Sequence, residues 1–204
     1  SCKMESIAFE KSNLADSTHD GGEIVSSKRF AYALYIALTI MLFAGIFGGW
    51  WVLKGNNDIW PPTGTPELSS LNMLPENITM VVSIILLVLA MNSLKQTDFV
   101  KFRSYVLLSS AVCILFVVAI AMEYWRLIAG GVSMHTVFGG MYFVLTITFL
   151  AHFIGGIYAL FRFAIKARQL SAIHNIQLGF TNVLHWHDLM LLLWIGIEFL
   201  IHDN

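Results

Sequence analysis

Five long runs of apolar residues, at about 30–53, 77–94, 103–129, 135–165 and 178–201, are separated by short polar breaks. A membrane-crossing helix needs roughly 20 mostly apolar residues. The pattern therefore predicts an all-α integral membrane protein with five transmembrane helices. The third and fourth runs exceed the minimum, which predicts tilt or protrusion. The first run opens at Phe30 and is longer than the roughly 7 to 15 residues of a signal-peptide core, so it is expected to be a retained span. Residues 1–27 carry Glu5, Glu10, Asp16, Asp20 and Glu23 without apolar periodicity, which predicts a flexible tail. Residues 28–204 are expected to form a single five-helix domain, with no internal repeat.

Composition supports the membrane assignment and charge adds an orientation. The 204 residues are 57% hydrophobic and 12% charged, with a mean hydropathy of +0.71, more apolar side chain than a water-soluble domain of this size buries. If the N-terminus is cytoplasmic, that side collects Lys3, Lys11, Lys28, Arg29, Lys95, Lys101, Arg103, Arg162, Lys166 and Arg168, leaving only Lys54 and Arg126 opposite. The positive-inside rule then predicts a cytoplasmic N-terminus and a C-terminus outside. Trp50, Trp51, Trp60 and Trp125 fall at the expected outer boundary, where indole rings favour the headgroup region. The outer connection NNDIWPPTGTPELSSLNMLPEN, which closes on Glu76 and Asn77, contains Pro61, Pro62, Pro66 and Pro75, which predicts a rigid, non-helical path packed on something. Nothing reads as a nucleic-acid surface. Cys2 and Cys113 lie in different settings and imply neither a disulfide nor a thiolate metal site.

Ionisable residues inside apolar runs are the candidate chemistry, because hydrocarbon tolerates them only against other protein or water. Glu123, His152, His185 and Asp188 are expected to form a buried polar cluster related to proton or lipid chemistry. At about 1.5 Å per residue, His152 and His185 each lie roughly 25 Å from the outer ends of their helices, Asp188 roughly 20 Å and Glu123 roughly 9 Å. His185 and Asp188 share a face at i,i+3, while His187 points about 100° away from Asp188. The alternative for His152 is a buried ring bonded to a backbone carbonyl or a hydroxyl, and for Glu123 a structural carboxyl; Glu198 reads as interfacial. Gly45 with Gly49, Gly155 with Ala151, and Gly156 with His152 are spaced for close helix packing. No metal site is expected: HExxH is absent and HWHD spreads its ligands over different faces. No phosphate loop or nucleophile–base arrangement is present either, so no catalytic residues are assigned.

Four stretches in order, IWPPTGTPELSSLNMLP, AMEYWRLIAGGVS, AHFIGGIYAL and LHWHDLMLLLW, resemble subunit III of the heme-copper terminal oxidases, in its short five-helix bacterial form. Trp60, Pro61 and Pro62 match the family's Trp-Pro-Pro loop, and Glu123 with Tyr124 its Glu-Tyr pair. His152 with Gly156 matches its His-Val-x-x-Gly element, and His185, Trp186 and Asp188 its His-Phe-x-Asp element. The chain departs from the pattern at Phe149, Leu184 and Gln96, where the family usually has a histidine, a tryptophan and often a carboxylate.

The resemblance implies an accessory, non-catalytic subunit with no cofactor of its own, in a bacterial cytoplasmic membrane. Heme and copper would reside in partner subunits. It implies subunits I and II as partners, bound phospholipid, and support of proton uptake and durability in an O2-reducing, proton-pumping complex; a larger respiratory supercomplex is compatible with it. The alternatives are a stand-alone membrane cytochrome b ligated by His152 and His185, a proton-coupled transporter using Glu123 and Asp188, and a copper monooxygenase subunit.

Overall fold

The computed structural model describes residues 2–63, 74–166 and 173–202, with side chains placed from position 27 onward except at 28, 166, 173–175 and 178. Among the described residues all regular structure is helical: α1 (Cys2–Gly55), α2 (Leu74–Lys95), α3 (Phe99–Ala129), α4 (Val137–Lys166) and α5 (Ile173–His202). All five contain segments long and apolar enough to cross a membrane, Arg29–Gly55, Leu74–Lys95, Phe99–Ala129, Val137–Ile165 and Gly179–His202. The protein is thus an all-α, multi-pass membrane protein. The expected centres of the runs hold; α2, α3 and α5 begin a few residues before their runs and α4 begins just inside its own, and Pro75, expected in the non-helical connection, lies in the first turn of α2, where proline is tolerated.

Residues 2–27, which lack apolar periodicity, are helical and form the first half of α1. No proline interrupts the chain from Cys2 to Gly55, so a helix nucleated in the apolar run propagates backwards without a break. The chain divides into two compact units, Ser1–Leu42 and Phe43–Asn204, so the division falls inside α1. In the first unit Leu34, Tyr35, Leu38 and Met41 are exposed and the Thr39 hydroxyl donates to the Tyr35 carbonyl at 2.9 Å.

In the second unit α2 packs on α3, α3 on α4, α4 on α5 and α5 on α2, closing a four-helix ring. Its centre is aromatic. Phe116 of α3 lies with ring centroids 4.8 Å from Phe153 and 5.0 Å from Trp194, and Phe149 lies 5.3 Å from Trp194. Nearer the α2–α3 turn, Phe102 and Phe180 meet at 4.9 Å. All six rings are essentially inaccessible.

The ends of the helices follow from local chemistry. Asp98 caps α3 by accepting from the Lys101 backbone N–H at 3.0 Å, as a short acceptor side chain does at an N-terminus. Gly130 ends the same helix, its N–H donating to the Arg126 carbonyl at 2.9 Å. At the start of α4 the Thr136 hydroxyl donates to the Ser133 carbonyl at 2.8 Å and accepts from the Gly139 N–H at 3.0 Å. A Cβ on Gly139 would fall 2.1 Å from the Ser133 oxygen, so this turn requires glycine.

Candidate functional site

The helix ring has two ends, here named for Trp60 and Asp98. The Trp60 end holds the start of α2, the close of α3, the start of α4 and the close of α5. Trp60 stands on the end of α1, 5.3 Å from Trp50 and 5.2 Å from Phe138 between ring centroids, and Trp50 lies 5.8 Å from Phe138. The described part of the proline-rich connection is therefore packed, as its composition predicted. Pro62 and Thr63 line a cavity of about 130 Å³ with Val132, Ser133, Thr136 and Phe138. Pro66 and the rest of that connection lie outside the described residues.

Glu123 is buried in this end and pairs with Arg126, one turn on, at 2.7 Å, with side-chain exposures of 8% and 41%. The arginine reaches outward while the carboxylate stays inside, which is how a long side chain brings charge to a buried partner. Next to it the Tyr124 hydroxyl donates to Thr146 on α4 at 2.6 Å, and the Thr146 hydroxyl donates back to the Tyr142 carbonyl at 2.8 Å. A second bridge joins α2 to α5: Asn77 donates from Nδ2 to the Glu198 carboxylate at 2.7 Å and accepts from the Trp194 indole at 3.1 Å. Glu76 is buried beside them, within electrostatic range of Glu123, Glu198 and Arg126. Its Oε2 has no hydrogen-bond partner among the described residues.

This network holds three carboxyl groups and one guanidinium on three neighbouring helices. Burial strengthens each hydrogen bond and raises the cost of any unmet one, so the network fixes the register of α2, α3, α4 and α5. Sequence reasoning places Glu123 here and reads Glu198 as interfacial, but it does not single out Glu76 and Asn77, which stand at the junction of the proline-rich connection and the second apolar run. Depth would have found them. At about 1.5 Å per residue, Glu76, Glu123 and Glu198 lie roughly 3, 9 and 6 Å from the ends of their helices at the same side.

The four residues expected to share one buried cluster are not brought together. His152 Nδ1 donates to the Thr148 carbonyl at 2.8 Å, and its ring stacks on Trp186 at 6.2 Å and meets Phe43 at 5.7 Å. His185 and Asp188 are on the outside of the ring, with side-chain exposures of 65% and 48%, and their nearest nitrogen and oxygen are 3.9 Å apart. Within this chain His185 and Asp188 are therefore not buried. Spacing correctly put them on one face of α5, but the face turned inward carries Trp186, His187, Met190, Trp194 and Ile197.

His187, which points away from Asp188 as its spacing predicts, is in the core. Its Nδ1 donates to the Val183 carbonyl at 2.9 Å, its ring lies 6.1 Å from Phe153, and its Nε2 is buried without a partner among the described residues. The four packing glycines also separate. A Cβ on Gly156 would meet Trp186 at 3.0 Å and His187 at 3.3 Å, and one on Gly49 would meet Met141 at 3.4 Å; Gly45 and Gly155 face open space. Gly156 is thus a point of close approach between α4 and α5, while Gly45 and Gly155 are not used for packing within the described residues.

Outside the spans, Asp98 has its carboxyl held below the usual carboxylate range, first by the Lys101 backbone N–H and then by the Lys101 ammonium at 2.9 Å. That pair is a capping device, remote from the network at the other end. Compared with known families the chain matches no family model, and compared with characterised proteins it matches none.

Proposed function

We propose that the chain is the accessory subunit III of a heme-copper terminal oxidase, an integral, non-catalytic component of the cytoplasmic membrane of a bacterium. The observation that carries this reading is the order of the four motifs along the helices. Trp60-Pro61-Pro62 follows α1, Glu123-Tyr124 lies in α3, His152 and Gly156 in α4, and His185-Trp186 with Asp188 in α5. The charge bias of the connections supports an N-terminus inside and a C-terminus outside.

On this reading dioxygen reduction and proton pumping take place in subunit I, with heme and copper held there and in subunit II. This chain supports proton uptake and durability by packing and by holding phospholipid. The hydrogen-bonded network at the Trp60 end supports a scaffolding role, because its groups bond one another across helices.

Gentle detergent extraction from native membranes, followed by identification of the co-purifying chains and an absorption spectrum, tests the proposal. The expected result is a stoichiometric complex with a heme-bearing polypeptide, whose heme absorption stays with that partner. A Soret band carried by the isolated chain and lost on His152→Ala would overturn it in favour of a stand-alone cytochrome b.

A further inference from the structure

Thr181, His185, Asp188, Leu192, Ile195 and Phe199 follow one another along α5 at alternating steps of four and three residues, and none of the six is buried. Alternating steps of four and three are the spacing by which one helix lays along another. On the opposite face Trp186, Met190, Trp194 and Ile197 are buried in the ring. The stripe is therefore a separate, outward surface of a helix whose other side is fully engaged.

Lipid suits only part of that surface. Leu192, Ile195 and Phe199 are apolar and exposed, but His185 and Asp188 stand within the apolar span Gly179–His202. At about 1.5 Å per residue they lie roughly 9 and 14 Å from its start, inside a hydrocarbon core about 30 Å thick. Ionisable side chains at such depth face protein or a water-filled cavity, because acyl chains supply no hydrogen-bond partner. The pair does not satisfy itself: 3.9 Å from His185 Nδ1 to Asp188 Oδ2 is beyond hydrogen-bond distance. The Asp188 carboxyl accepts no hydrogen bond among the described residues, though it can take several.

We infer that this stripe seats a transmembrane helix of a different polypeptide, which brings a basic or other hydrogen-bond-donating side chain to Asp188 and packs apolar side chains along Leu192, Ile195 and Phe199. The inference rests on the hetero-oligomer proposed above and names the face by which this chain enters it. A second copy fits poorly. A two-fold axis along the membrane normal brings each residue opposite its own equivalent at one depth, so acceptor would meet acceptor at Asp188.

The test places a photo-reactive benzophenone side chain at Leu192 or at Phe199, with Leu115 on the outward face of α3 as the control, in the full chain within native membranes. The expected result is an adduct from both α5 positions to one membrane-spanning peptide of one other polypeptide. It forms at least tenfold more than from Leu115, falls at least tenfold with Asp188→Leu, and is retained with Asp188→Asn, which keeps an acceptor. Adducts to lipid alone, to a second copy of this chain, or equally from Leu115 overturn the inference, as does an adduct indifferent to Asp188→Leu in membranes that contain the variant at the normal level. The two readings fail separately. A crosslinked partner from a complex without heme leaves the docking face standing and removes the oxidase reading. A heme-bearing complex whose α5 stripe crosslinks only lipid does the reverse.

Discussion

The same small change at two adjacent residues of α4 should shift stability in opposite directions. Gly155 and Gly156 sit in one helix with the same sequence context, so Gly→Ala brings both the same gain in helix propensity, about 1 kcal/mol. At Gly155 the new methyl meets nothing within 4 Å, and the gain stands. At Gly156 it meets Trp186 Cδ1 and Nε1 at 3.0 Å and His187 Cε1 at 3.3 Å. Relief requires Trp186 to retreat by a few tenths of an ångström, yet that indole is buried and stacked on His152. Overpacking of this kind costs about 1–3 kcal/mol. Gly155→Ala is thus expected to stabilise by up to about 1 kcal/mol, while Gly156→Ala is neutral to destabilising by about 2 kcal/mol once the two effects are combined. In a chain of this length 1 kcal/mol moves Tm by roughly 2–4 °C, so thermal unfolding of both variants in detergent resolves the split. Equal shifts, or a lower Tm for Gly155→Ala than for Gly156→Ala, would refute the close approach of α4 and α5 at Gly156.

Three further outcomes are expected. Phe116→Ala empties the ring between Phe149, Phe153 and Trp194 and should cost about 3–5 kcal/mol, while Leu115→Ala on the outward face of the same helix should leave the midpoint of detergent unfolding nearly unchanged. Arg126→Leu leaves Glu123 buried without its guanidinium; because the arginine is partly exposed, the loss is expected to be only about 1–2 kcal/mol, and Arg126→Leu combined with Glu123→Gln should recover part of it in a double-mutant cycle. For Asp98 the folded carboxyl is held below its ordinary range, so its contribution is complete above the ordinary carboxylate range and is lost as pH falls through the depressed value. The Tm difference between wild type and Asp98→Ala should accordingly be largest near neutral pH and shrink in acid, and a difference that grows in acid would contradict the capping geometry.

The helices were legible because membrane spans announce themselves by length and hydropathy, and the five runs needed no tertiary information to be found. Facing was harder. His185 and Asp188 were placed on a shared side of α5 by spacing alone, but whether that side looks in or out depends on which stripe the neighbours cover, and α5 is apolar nearly all round. The large rings decided it. Trp186, Met190 and Trp194 offer more surface to bury than the opposing Leu192, Ile195 and Phe199, and the aromatic centre built by Phe116 and Phe149 draws them in. Glu76 and Asn77 escaped notice because a polar pair at the edge of a run looks like the loop it adjoins. The continuity of α1 back to Cys2 was missed for a related reason: charge without periodicity argues against packing, and a helix extending from an apolar span need not pack to form.

The polar groups of the spans thus fall into two kinds with opposite consequences. At the Trp60 end Glu123, Arg126, Tyr124, Thr146, Asn77, Glu198 and Trp194 bond mainly to one another, so their energy is realised when this chain folds. On the outside of α5, His185 and Asp188 have their partnership half made, so on the proposed docking theirs would be realised when the partner helix arrives. The inner network ties α5 to α2 through Asn77, Glu198 and Trp194, so the outer stripe of the same helix is presented by a helix already anchored on its other side. Ordering cost on association is then small, since the groups that must meet are already in place. The cost of Asp188 in hydrocarbon works in the same direction, because it penalises the unassociated state without strengthening the associated one. On the proposed docking the two would act together to favour assembly over a free monomer, although the surface offered is only one helix wide.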